Sequence, residues 1–221
     1  MKSIKSNIVL NCVRTAISVL FPFVVFQYAS RILFAENLGK VNFSNSVVNY
    51  FILIAGLGIS SYSIREGGIL INEKNRMEEF ASEVFSINLL STIISYILLM
   101  VVLFSFDKLH PYILLTLILS ISVLSTTLGM DWINIVYEDY KYITIRTLVF
   151  QALSLILTII FVREKSDYYI FAWIVSLGKV GPDLLNWFYI RKRYVKIKFI
   201  IRQSLVRHLK PILFIFFNAL V

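Results

Sequence analysis

Long apolar runs separated by short polar connections set the pattern of this chain. A helix that crosses a bilayer needs about 20 mostly apolar residues. Six segments meet that length: Ile8 to Leu33, Phe43 to Ile64, Val84 to Phe106, Pro111 to Asn134, Thr144 to Val162 and Tyr168 to Ile190. A seventh run begins at Pro211 and stops at Val221, too short to cross at about 1.5 Å per residue. The pattern predicts an all-α polytopic membrane bundle, with six transmembrane helices in a lobe over residues 1–210 and the start of a truncated seventh over 211–221. The first segment follows Lys2 and Lys5 but is long, carries Arg14 inside it and precedes further spans, so it reads as a retained helix. Short connections around Asp107-Lys108 and Arg163 to Asp167 make adjacent helices antiparallel neighbours.

Polar and small residues recur along these spans in steps of three and four, which place each set on one helix face. The second span carries Asn42, Asn45, Ser46, Asn49, Gly56, Ser60 and Ser63; the third Asn88, Ser91, Thr92 and Ser95; the fourth Ser122, Ser125, Thr126 and Gly129. The fifth carries Thr144, Thr147, Gln151, Ser154 and Thr158, and the sixth Ser176, Lys179, Asp183 and Asn186. Such stripes serve either close helix packing or a polar interior. Charges inside spans weigh toward the second use, because a central Lys or Asp costs about 2.5–3.5 kcal/mol on insertion. Lys179 and Asp183 are one turn apart and can pair, with Gly181-Pro182 between them. A proline there predicts a kink or break near the membrane centre. The alternative is a neutralised pair that only fixes packing. Arg14 lies about two turns into the first span and either snorkels or faces a cavity. Pro22 marks a second kink, and Arg31 lies near the outer end, where it is either a cavity residue or, as a loop arginine usually is, simply solvated. Arg65-Glu66 and Glu138-Asp139, with Lys141 and Arg146, read as interfacial anchors or as a gate between helix ends.

Composition sharpens this picture. Hydrophobic residues make up 58% of the 221 and charged ones 16%, against roughly 25% charged in ordinary globular domains. Mean hydropathy is +0.77. A soluble fold of this size cannot hide that much apolar surface, and the single cysteine, Cys12, excludes an intrachain disulfide. The net charge of +9 gathers near the end, at Arg191, Lys192, Arg193, Lys196, Lys198, Arg202, Arg207 and Lys210. With the N-terminus in the cytoplasm, fifteen of the 22 basic residues fall inside and five outside, Arg14 and Lys179 being within spans. That is the bias of cytoplasmic loops, so the charge is topological and no nucleic-acid partner is expected. The basic run can also attract anionic lipid headgroups. His110 and His208 read as isolated loop residues, and Asp131 has no acid partner nearby in sequence. Without metal-ligand spacing, a phosphate-cradling loop or a nucleophile elbow, neither enzyme chemistry nor a cofactor is expected.

Phe21 to Glu66 resembles the start of the polysaccharide-biosynthesis (Wzx-type) flippases of the multidrug/oligosaccharidyl-lipid/polysaccharide exporter superfamily. The matching residues are Phe21-Pro22, Arg31 with Leu33, Leu38-Gly39-Lys40-Val41-Asn42, Tyr50-Phe51, Leu57-Gly58-Ile59 and Ile64-Arg65-Glu66. Glu138 to Arg146, reading EDYKYITIR, is a second match. The chain departs from the family at Phe34, where glycine is usual, and at Ile135-Val136-Tyr137, where Gln-Gly often precedes Glu138. The resemblance implies a bacterial inner-membrane flippase that moves an undecaprenyl-diphosphate-linked oligosaccharide by alternating access between two six-helix lobes. Surface polysaccharide (O-antigen, capsule or exopolysaccharide) would be the product. This chain would be one lobe plus the start of the next. The implied partners are the lipid-linked oligosaccharide, membrane lipids and the polysaccharide polymerase machinery. Substrate-binding candidates are Arg14, Arg31, Asn49, Lys179 and Asp183; gate candidates are Arg65, Glu66, Glu138 and Arg146. Other readings of the same pattern are an ion-coupled small-molecule exporter, a membrane-embedded glycan-assembly enzyme and an inactive truncated fragment.

Overall fold

The computed structural model describes the backbone of residues 4–220, and side chains at Cys12 and over residues 15–218 apart from residue 203. All regular structure among the described residues is helical. The order is α1 (Ile4–Gly56), α2 (Ile59–Leu70), α3 (Lys74–Ser105), α4 (Ile113–Ser120), α5 (Ser125–Leu128), α6 (Asp131–Val136), α7 (Tyr140–Phe161), α8 (Tyr168–Arg193) and α9 (Val206–Leu220). Four helical stretches are long and apolar enough to cross a membrane: 15–70, 74–105, 107–136 and 140–161. The first holds both the first and second expected spans. This is a multi-pass membrane protein.

The backbone turns left-handed at four sites among the described residues, and none of them holds a proline. Pro22, Pro182 and Pro211 all lie inside helices. The break expected at Gly181-Pro182 is absent: α8 runs on through it, with Gly181 packed directly against the Phe150 ring of α7, where a β-carbon would collide. Small residues here serve close approach of two helices. The breaks fall instead at Phe34 (φ 57), at Leu57-Gly58 (φ 43 and 70), at Met130 (φ 41) and at Glu138 (φ 54). Side chains other than glycine seldom adopt this region. The connection expected over residues 34–42 is also helical. Helix resumes directly after Phe34, with Lys40 paired to Glu36 at 2.7 Å, so Arg31 is a helix residue rather than a loop residue. α2 continues past Arg65-Glu66 to Leu70, and α9 starts five residues before Pro211. Arg207, His208 and Lys210 hide that first turn from an apolar reading.

Two apolar cores form, one above the other. The first gathers residues such as Ala29, Leu33, Val48 and Phe51 of α1, Leu99 and Leu103 of α3, Leu119 of α4 and Ala172 of α8. The second gathers Ile59 and Tyr62 of α2, Met77 and Phe80 of α3, Trp132 and Ile133 of α6, Ile190 of α8 and Ile212 of α9. A polar layer lies between them, at the level of the breaks at Leu57-Gly58 and Met130. An interrupted helix leaves carbonyls without their usual donors, and at Ala55 side chains supply them. Asn88 Nδ2 and Ser91 Oγ of α3 donate to the carbonyl of Ala55 at 3.0 and 2.6 Å, and Ser95 Oγ donates to Phe51 at 2.7 Å. Thr92 meets Thr127 of α5 at 2.7 Å.

Candidate functional site

The third-span stripe is thereby consumed by packing: Asn88, Ser91, Thr92 and Ser95 are all buried against backbone or hydroxyl partners. The second-span stripe is not. Asn42, Ser46 and Asn49 are exposed along α1, and Asn45 is half-buried. Beside this face a cavity of about 410 Å³ opens between α1, α4, α7 and α8. Phe21, Phe26 and Phe171 give it aromatic walls; Asn42, Asn45, Gln151, Ser154 and Lys179 supply its polar groups. Lys179 Nζ donates to Asn45 Oδ1 at 3.2 Å. The Gln151 carboxamide oxygen is buried without a hydrogen-bond partner among the described residues. One cation, several amides and hydroxyls, and aromatic faces are a set suited to a polar, sugar-bearing headgroup, because each can pair with hydroxyls or stack on a ring.

Lys179 and Asp183 do not act as the isolated pair expected from their spacing. While Lys179 reaches Asn45, Asp183 reaches Arg146, whose Nη2 lies 3.7 Å from Asp183 Oδ1 and 2.6 Å from Asp131 Oδ1. Arg146 is therefore not an exposed anchor. It is buried nearly two turns inside α7, its side chain 3% exposed, holding carboxylates from α6 and α8. Asn186 joins the group, donating from Nδ2 to Gly129 O and accepting from Asn134 Nδ2 at 2.6 Å. Asp131 and Asp183 line a smaller cavity of about 260 Å³ at the helix breaks. A guanidinium among carboxylates and amides is the arrangement that lets charges stay buried. The sequence reading left Asp131 without a partner because its partners lie on other helices.

The remaining candidates scatter. The side chain of Arg14 lies outside the described residues. Arg31 and Asn49 are exposed and do not line the larger cavity, although Asn49 continues the stripe that borders it. Arg65 lies 3.7 Å from Glu66 on an open surface, and Glu138 occupies the turn before α7.

Two groups that the sequence did not reveal lie at the Leu70 end of the bundle. Asp139 is buried and accepts from the Tyr189 and Tyr194 hydroxyls at 2.6 and 2.8 Å. Burial first, and then the hydrogen bond to Asp139, hold the Tyr194 phenol far above its ordinary range, so it stays a donor. The second group corrects the reading of His208 as an isolated loop residue. It is buried in α9, with Nε2 2.8 Å from Glu83 Oε2 and Nδ1 2.6 Å from the Tyr62 hydroxyl. Arg207 Nη2 and Ser204 Oγ also donate to Glu83, at 2.7 and 2.5 Å. Glu83 thus ties α9 to α3.

A membrane-crossing helical bundle with a buried charged group and a polar cavity at one face is compatible with a transport protein. The chain belongs to the polysaccharide biosynthesis protein family, which it matches over residues 4–219. It is also 26% identical over 191 residues to a Shigella dysenteriae protein described as "Putative O-antigen transporter", an overlap that takes in 85% of this chain and 47% of the relative. The chain thus spans about half the length of this curated relative. No solved structure matches.

Proposed function

We propose that this chain forms the N-terminal lobe of a flippase that carries an undecaprenyl-diphosphate-linked oligosaccharide across the bacterial cytoplasmic membrane for surface polysaccharide synthesis. The observation that carries the reading is the Lys179 cavity, open beside the exposed stripe of α1. A sugar-bearing, charged headgroup needs such a polar path, because crossing hydrocarbon without one is prohibitive. In this reading the aromatic walls and amides meet sugar, Lys179 meets negative charge on the substrate, and Asn49 extends the contact surface. Arg14 and Arg31 are further candidates for the diphosphate. The Asp131–Arg146–Asp183 group instead braces α6, α7 and α8 behind the cavity.

Six spans and a cytoplasmic N-terminus are part of the proposal. α1 supplies two spans around Phe34, and α8 supplies the sixth: its 26 residues reach about 39 Å, with Lys179 turned into the cavity and an apolar face turned out. A second lobe would complete alternating access, with the headgroup held between the two.

The test is Lys179→Ala in the full-length protein of a strain that depends on this flippase, with protein level measured alongside surface polysaccharide. A loss of about tenfold or more in polysaccharide at normal protein level is expected. Normal polysaccharide at normal level would remove Lys179, and the cavity with it, from the transport path.

A further inference from the structure

One feature of α8 is unrelated to the cavity. From Lys179, a helix advances about 100° per residue, so Phe188, nine residues on, points to the opposite side. Ile170, Trp173, Leu177 and Leu184 fall on that same side, and all are exposed along with Phe188. With α8 crossing the membrane as proposed above, this exposed apolar stripe faces lipid. At its foot, one turn beyond Phe188, stand Arg191 and Lys192. The chain then leaves the helix as a strap without regular structure over residues 195–202.

The strap is pinned to α3. The N–H of Lys198 donates to Ser82 Oγ at 3.1 Å and that of Ile200 to Ser86 Oγ at 2.8 Å. Val195 and Ile197 are buried beneath it. Lys196, between them, and Lys198, just after, are exposed. The result is a cleft of about 510 Å³ lined by Phe188, Arg191, Lys192, Lys196, Ile197 and Lys198. No acidic residue is among its lining, and none of its three lysines has an ion pair among the described residues. Arg191 lies 5.1 Å from the Trp187 ring.

We infer that this cleft binds the phosphate of an anionic phospholipid from the adjoining leaflet, with acyl chains running down the exposed stripe of α8. Four cations, two from α8 and two from the strap, line this one cleft at the foot of an exposed apolar track. The cleft opens away from the Lys179 cavity, so it is placed for a lipid of the surrounding bilayer rather than for transported cargo. The inference rests only on α8 crossing the membrane, and it stands or falls independently of which substrate is moved.

The experiment is native mass spectrometry of the full-length protein in detergent. It is titrated separately with phosphatidylglycerol, phosphatidylcholine and an undecaprenyl diphosphate probe. Phosphatidylglycerol is expected to bind in clear preference to phosphatidylcholine, and Lys196→Ala/Lys198→Ala to weaken it by about thirty-fold. Equal binding of the two phospholipids, or unchanged phosphatidylglycerol affinity in the double variant, overturns the inference. So does a double variant that loses only the undecaprenyl diphosphate, since the cleft would then serve cargo. Should the variant fail to insert, lysine acetylation of the wild-type protein decides the matter. Phosphatidylglycerol should protect Lys196 and Lys198 but leave Lys74 and Lys141 reactive, and protection by phosphatidylcholine to the same degree counts against the site.

Discussion

The stripes of α1 and α3 are alike in composition and opposite in use. Both place asparagine and serine at helical spacing within apolar spans. On α3 each polar group is buried and spoken for: Asn88 and Ser91 hold the Ala55 carbonyl, and Ser95 holds that of Phe51. On α1, Asn42, Ser46 and Asn49 are open, and Asn45 meets a lysine. The same contrast divides the two cations. Arg146 is enclosed between carboxylates, whereas Lys179 has one neutral amide and a cavity before it. Polar groups that repair broken backbone are structural; those left facing space are available for a ligand. Residue type alone does not separate the two.

Arg146→Ala breaks the comparison hardest. It leaves Asp131 and Asp183 beside each other without the cation that lies between them, and removing one partner of a buried ion group costs about 3–5 kcal/mol. The expected outcome is a steep fall in thermal stability and membrane level. Neutralising all three residues together, as Arg146→Met with Asp131→Asn and Asp183→Asn, should restore much of that loss. An Arg146→Ala protein as stable as wild type would show that the group is not buried in the way the geometry requires.

Asn88→Ala comes next. It removes one of the two donors on the Ala55 carbonyl while Ser91 remains, so the cost should be about 1–2 kcal/mol, read from the unfolding midpoint in detergent. Adding Ser91→Ala should cost more than the sum of the two single changes, because only then is the carbonyl left bare. Strict additivity would argue that the two side chains act separately.

Much of this was legible in sequence. The all-helical class and the four stretches long and apolar enough to cross a membrane follow from the apolar runs, and the stripes of both helices were visible as periodicity. What was hidden is long-range. Glu83 and His208 are 125 residues apart, and Asp131 finds a second carboxylate only through Arg146 on a third helix. The breaks were hidden for another reason: a left-handed backbone leaves no trace when the residue is bulky, and proline drew attention to α8 instead. Phe34 is the instructive case. Its departure from the family's usual glycine falls on a backbone at φ 57 and ψ 168, a region kept almost wholly for glycine, and its ring is 62% exposed. Phe34→Gly should therefore raise stability by about 1 kcal/mol, and a destabilised variant would mean that the ring makes a contact worth more than the strain.

The smallest stability effect is expected on the open side of the comparison, and its smallness is what makes it informative. Asn49→Ala and Lys179→Ala each remove a group that no neighbouring backbone depends on. Asn49 is exposed on α1, and Asn45 can exchange Lys179 for water. Surface changes of this kind usually stay within about 0.5 kcal/mol, so both unfolding midpoints should match wild type closely. Surface polysaccharide should nonetheless fall, more for Lys179→Ala than for Asn49→Ala, since the lysine is the charged group of the cavity. A loss of about 2 kcal/mol or more for Lys179→Ala would place it with Arg146 as a structural cation and collapse the distinction between the two stripes. An unchanged midpoint with reduced transport would keep them apart, because packing alone has no means of lowering flux without lowering stability.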